Sequence, residues 1–148
     1  MPVKAHTEWT LEELWRQEQV NFSAHMAIVF HYLEKHGLPL EDFVRFVGES
    51  VLPSWRRRGE SVPDVMNGIL FNARANGAAV CDVSLTETCA EATVSSILRP
   101  DVMERYGIAP AVAGRFWDKF VPIAAAFGLR FTRSRTANGQ DRIRLEKP

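Results

Sequence analysis

A chain of 148 residues with 46% hydrophobic and 24% charged side chains has the length and composition of one globular domain. Its 18 basic and 18 acidic side chains cancel, which argues against a dedicated nucleic-acid binder and against a disordered polyelectrolyte. Two cysteines make no disulfide framework, no apolar run nears the roughly 20 residues of a membrane span, and no basic-then-apolar segment opens the chain; a cytoplasmic protein with no membrane partner is expected.

The first half, about residues 9–77, reads as helical. Thr10-Leu11-Glu12-Glu13 has capping-box spacing. Leu11, Leu14, Trp15, Phe22, Met26, Val29, Phe30 and Leu33 then recur at helical intervals, and Gly37 supplies a left-handed stop. A second helix is predicted from Leu40 or Glu41 to about Trp55, burying Phe43, Phe46, Val47, Val51 and Leu52, with Pro53 bending or ending it. Arg56 to Arg58 read as a solvated loop. Ser61-Val62-Pro63-Asp64 opens a third helix carrying Val65, Met66, Ile69, Leu70 and Ala73, which Asn76-Gly77 closes.

Near residue 78 the period changes from 3.6 to 2. Ala79, Cys81, Val83 and Leu85 alternate with Val80, Asp82, Ser84 and Thr86 and predict a strand over about 79–86 with the first of these faces buried. Thr88-Cys89-Ala90-Glu91 repeats the capping-box spacing and predicts a short helix through Val94, Ile97 and Leu98, stopped by Pro100. Asp101 to Tyr106 makes one or two further turns. Pro110 to Phe127 is helical, with Val112, Phe116, Phe120, Ile123 and Phe127 as its stripe and a kink expected at Pro122.

Residues 129–147 form a hairpin around Ala137-Asn138-Gly139. A two-residue Asn-Gly turn would set Arg133 against Arg144 and Arg135 against Arg142. A three-residue loop with Gly139 left-handed instead pairs Phe131 with Leu145, Arg133 with Ile143, Arg135 with Asp141 and Arg130 with Glu146, so that opposite charges meet. The whole chain is then an α+β domain, with helices packed on a small antiparallel sheet made of the 79–86 strand and this hairpin.

Candidate chemistry follows from these placements. Cys89 in the first turn of a helix would have orphan amides and a helix dipole to stabilise a thiolate, the form that acts as nucleophile; alternatively it is a small apolar residue filling the strand–helix junction. Cys81 reads as core. Arg135 has Asp141 opposite it. Arg133 has no partner in its strand and shares a face with Phe131, Ile143 and Leu145, which makes it a candidate to hold a substrate carboxylate unless it snorkels to water. Trp117 beside Asp118 could line a pocket or simply pack. Glu18, His25 and Tyr32 share a helix face and His25 reads as a structural histidine at a helix interface; a metal-dependent reading would use His25 or His31 as base or ligand, but no pair shows zinc-site spacing, and no metal or cofactor is expected.

Residues 78–147 resemble the L-2-amino-thiazoline-4-carboxylic acid hydrolase-like family, in which a strand leads to a Cys and then a helix, a Cys-x-x-Asp segment follows, and the chain ends in an Arg-Thr-x-Thr hairpin with a late Cys. Here these segments are Cys81 to Cys89, Arg115-Phe116-Trp117-Asp118 with Arg in place of Cys, and Phe131 to Ile143 without the final Cys. The resemblance implies hydrolysis at a C=N carbon of a small carboxylate or cyclic amino-acid-like substrate. Carried over onto this chain, Cys89 would be the nucleophile, Asp118 would orient water or shuttle a proton, and Arg133 would hold the substrate carboxylate; Arg135 and Trp117 join them as substrate-binding candidates from their placement alone. The rival expectation is a non-catalytic small-ligand-binding or dimerising accessory protein in which Cys89 is structural. The aromatic residues of the first helix would suit a homodimer seam.

Overall fold

The computed structural model describes residues 8–55 and 59–148; the loop expected at Arg56 to Arg58 lies outside the described residues. Thr10 starts α1 (Leu11–Lys35): its hydroxyl accepts from the Glu13 amide while the Glu13 carboxylate accepts from the Thr10 amide. Gly37, at φ 64°, turns the chain away. The buried stripe of α1 begins only at Gln19 and continues through Ser23, Met26, Ala27, Phe30 and Leu33. Leu11, Leu14 and Trp15, expected in the core, are exposed; periodicity identifies a face but not how far the packing partners extend along it. Trp15 instead donates its indole N–H to the Ala75 carbonyl.

The predicted second helix is two pieces, α2 (Leu40–Ser50) and α3 (Leu52–Trp55). Its buried face is Val44 and Gly48, not Phe46, which is 66% exposed, or Val51, also exposed. Gly48 sets this rotation, because without a side chain it lies directly on the Lys119 carbonyl and the Pro122 ring. Ser61 caps α4 (Val62–Ala75) through a second reciprocal pair with Asp64.

Four antiparallel strands follow in the order β1-β2-β4-β3: β1 (Val80–Leu85), β2 (Cys89–Val94), β3 (Arg130–Arg135) and β4 (Asp141–Glu146). The hairpin register is the one that separates like charges: Phe131 opposes Leu145, Arg133 opposes Ile143, Arg135 opposes Asp141 and Arg130 opposes Glu146. Gly139 sits at φ 75° in the loop between Thr136 and Gln140.

Two expectations are corrected in this sheet. The helix predicted after Thr88 is strand β2. Thr86, not Thr88, organises the local turn: its amide and hydroxyl both donate to the Cys89 carbonyl, and its Oγ1 accepts from the Cys89 amide. A threonine closing a tight turn and a threonine capping a helix use the same hydroxyl, and the alternation of buried Ala90, Ala92 and Val94 with Glu91 and Thr93 decides for a strand. The predicted 79–86 strand therefore meets the C-terminal hairpin only through β2.

The second correction concerns which face of β1 is buried. Val80 pairs with Val94 and Leu85 with Ala90, so β1 takes five steps where β2 takes four. The extra residue is a bulge between Cys81 and Ser84, with Asp82 at φ 51°. It breaks the simple alternation, and Cys81, Val83 and Leu85, expected inside, are exposed.

α4 packs on β1, β2 and β4, and α7 (Phe120–Ala126) packs on β3, so helices cover one sheet face. Between β2 and β3 the chain forms α5 (Pro100–Arg105), α6 (Pro110–Gly114) and a 3-10 segment, Arg115–Lys119. The helix expected over 110–127 is thus broken. Pro122, third in α7, has no N–H for the Asp118 carbonyl, and the irregular turn lies just upstream of it. Phe116, Trp117, Phe120 and Ile123 are core, whereas Val112 is exposed.

The uncovered face is a lattice of charges. Glu91 accepts from Arg142 and Arg144, and Glu146 accepts from Arg144 and Arg130. These hydrogen bonds hold both carboxyls below the ordinary 4.5. A group whose folded pKa is depressed contributes above its unfolded value and loses that contribution as pH falls through the folded one. Thermal melts are therefore expected to shift downward below about pH 4.5, by less in about 0.5 M salt, with the acid slope reduced in Glu91→Gln/Glu146→Gln. An unchanged acid slope in that variant would remove the lattice from the acid response.

Candidate ligand-binding site

Beyond Phe131, β3 places Arg133 and Arg135 on the covered face, at the end of the sheet nearest the hairpin loop. The partners of the two arginines differ from those expected. Arg133, only 18% exposed, donates from Nη1 to Asp141 Oδ1 at 3.1 Å and from Nε to Asp118 Oδ1 at 3.3 Å. The Asp141 side chain is 3% exposed. Arg133 thus takes the diagonal partner on β4, within ordinary cross-strand reach, and a second carboxylate from the 3-10 segment. Both of these bonds go to protein carboxylates, which neutralise its charge locally. Gly114 packs beside this cluster: a Cβ there would be in ordinary contact with both guanidinium groups, 3.5 Å from Arg133 Nη1 and 3.6 Å from Arg135 Nη1.

Arg135 is left with one long hydrogen bond, Nη1 to the Pro110 carbonyl at 3.4 Å, and no ion pair among the described residues. It lines a cavity of about 510 Å³ between the hairpin loop, α5 and α6. Met103, Ile108, Pro110 and Ala113 supply apolar walls, Ser95 and Ser96 add hydroxyls, and Glu104 and Asp141 bring carboxylates. Glu104 makes no ion pair and Asp141 Oδ2 no hydrogen bond among the described residues. The cavity lies in the size range of small-molecule sites and has their mixture of apolar wall and few polar groups.

A second hollow, about 450 Å³, lies between α2 and the 3-10 segment and α7. Its charged residues already have partners: Glu41 with Arg115, Arg45 with Asp42, and Asp118 with Arg133. Of these two cavities, the Arg135 cavity offers charge without an ion-pair partner among the described residues.

Of the residues singled out in the sequence, Asp118, Arg133 and Arg135 come together. Trp117 does not line the cavity; it is sealed in the core with its ring centroid 5.7 Å from that of Phe120. Cys89 is neither at a helix start nor near the arginines. It pairs with Glu146 on the uncovered sheet face, whereas Arg133 points to the opposite face level with Ile143. Ile143 pairs with Ala92, three residues or roughly 10 Å along β2 from Cys89. Cys81, expected in the core, is exposed, with its thiol pushed up by desolvation and by the neighbouring Asp82. His31 Nε2 donates to the Tyr106 carbonyl at 2.6 Å and ties α1 to the end of α5, while His25 is exposed. Among the described residues no three His, Cys, Asp or Glu side chains gather as a metal site would need, and no helix is long and apolar enough to cross a membrane.

The sequence pattern missed Glu104, Met103 and Asp141 as cavity residues. Their only local signal is the pairing of Asp141 with Arg135 in the hairpin; the rest of the wall comes from elements far apart in the chain.

No protein-family model matches the chain, and no curated protein matches it.

Proposed function

We propose that this domain binds a small zwitterionic molecule with an apolar body, an amino acid or a close analogue, in the Arg135 cavity. One observation carries the reading: a cation and an anion, Arg135 and Glu104, both without ion-pair partners among the described residues, line the same largely apolar cavity. A ligand carboxylate would accept from the Arg135 guanidinium, whose planar fork suits it. A ligand ammonium would sit against Glu104 and Asp141 Oδ2, and its side chain against Met103 and Ile108. Arg133 acts as a positioning residue, since its bonds to Asp118 and Asp141 orient the buried Asp141 carboxylate. This is the binding-module alternative rather than the cysteine hydrolase: among the described residues no hydroxyl of the cavity is hydrogen-bonded to a carboxylate, and Cys89 stands on the other sheet face. The two free thiols suit a reducing, cytoplasmic setting.

Titration of the isotope-labelled protein with leucine, leucinamide and 4-methylpentanoate tests it. Leucine is expected to shift the Met103 methyl and Ile108 resonances, and each analogue lacking one charge to bind about tenfold or more weakly, as does leucine to Arg135→Gln. Equal binding by all three compounds, or by Arg135→Gln, would refute the charge assignment, and no shift with about 10 mM leucine would refute the site.

A further inference from the structure

Lys119 closes the 3-10 segment and lines none of the Arg135 cavity. Its ammonium lies 4.5 Å from the Phe116 ring centroid and 5.0 Å from that of Phe120. It makes no hydrogen bond or ion pair among the described residues. The neighbouring Asp118 is committed to Arg133. Lys119 also lines a separate cavity of about 270 Å³, whose other walls are mainly apolar (Val47, Trp55, Phe120 and Ile123), with Ser54 and Asn72 as polar neighbours.

A lysine that lines a cavity, keeps no counter-ion among the described residues and rests on aromatic rings has two roles open to it. It can hold an anion, or it can react as the free amine. The walls favour the second: no second cation supports an anion there, while the apolar surface admits an uncharged molecule and the polar pair Ser54 and Asn72 can accommodate a carbonyl oxygen. We propose that Lys119 Nζ is a nucleophilic amine that condenses with a small apolar aldehyde or ketone admitted to this cavity.

The step balances without an oxidant or reductant. The Nζ lone pair adds to the carbonyl carbon, a proton passes from nitrogen to the former carbonyl oxygen to give a carbinolamine, and loss of water leaves the C=N bond of an imine. Burial supplies the amine: it pushes Lys119 down to about 8 from the usual 10.5, with no charged neighbour contributing. A far larger fraction is then unprotonated near neutral pH than for an exposed lysine, and the lower intrinsic nucleophilicity offsets only part of that gain.

Lys35 and Lys147, both exposed, are internal controls. The native protein is treated at about pH 7.5 with butanal and cyanoborohydride, which reduces the imine to a stable secondary amine, and labelling is followed by peptide mass mapping. Lys119 is expected to be labelled about tenfold faster than either control, with the difference lost in guanidinium chloride. Labelling of Lys119 no faster than the controls in the native protein overturns the proposal. Glyoxylate, a charged aldehyde, is expected to give a smaller preference for Lys119; a larger one overturns the apolar substrate class. Binding of leucine at the Arg135 cavity is read independently of either result.

Discussion

Arg133→Met is expected to lower the unfolding free energy by about 3–5 kcal/mol. Methionine keeps much of the aliphatic volume but removes the guanidinium. Asp141, with 3% of its side chain exposed, then has no cation bonded to it, and its desolvation is uncompensated. Asp118→Asn should cost far less, because Asp118 is 45% exposed and water can replace what Arg133 gave it. Arg133→Met/Asp141→Leu should recover most of the loss, since exchanging both members of a buried pair for apolar groups removes the orphan charge along with its partner. Urea titrations of the four proteins give the comparison. A single-variant loss below about 1 kcal/mol would mean that water reaches Asp141 and that the cluster is a surface ion pair. The same series bears on ligand binding: if Arg133 positions Asp141, Arg133→Lys weakens leucine binding while leaving most of the stability, because a lysine cannot hold both carboxylates in one plane.

That cluster also shows where sequence reading stops. The hairpin register was legible because all its determinants are local: Gly139 for the turn, Phe131 with Leu145 for the apolar face, Arg130 with Glu146 for the charges. The caps at Thr10 and Ser61 were legible for the same reason, each being a bond across three residues. The choice between Arg133 and Arg135 for Asp141 was not, because it depends on Asp118, which only the broken 110–127 helix delivers to the sheet. Cys89 failed differently. A threonine three residues before a glutamate, Thr88 to Glu91, fits a helix start and a strand start equally, and the turn that Thr86 closes on Cys89 carries no such spacing to betray it. The bulge at Asp82 adds a single residue to β1, enough to undo a correct period-2 pattern, and nothing in Cys81-Asp82-Val83-Ser84 announces it. The α+β class survived these errors because it depends only on helices preceding strands and on one covered face of the sheet. The cavity was beyond a sequence pattern, since its walls come from β2's end, α5, α6 and the hairpin loop.

Gly48→Ala is expected to destabilise the protein by about 3 kcal/mol, opposite in sign to what helix propensity alone dictates. An interior helical glycine replaced by alanine should gain about 1 kcal/mol where space is open. At Gly48 it is not open. A Cβ there falls far inside contact distance of the Lys119 carbonyl oxygen and 2.5 Å from Pro122 Cγ. The first obstacle is backbone and the second a rigid ring, so neither yields as the tip of a long side chain would. α2 must then withdraw from the 3-10 segment and α7, opening the contact that buries Val44. Gly48→Ala/Pro122→Ala should recover only part of the loss, because the carbonyl obstacle remains. Full recovery would locate the conflict in the ring alone. A stabilised Gly48→Ala would mean that α2 is free to slide, and the close approach would then have no part in fixing the 3-10 segment that carries Asp118 and Lys119.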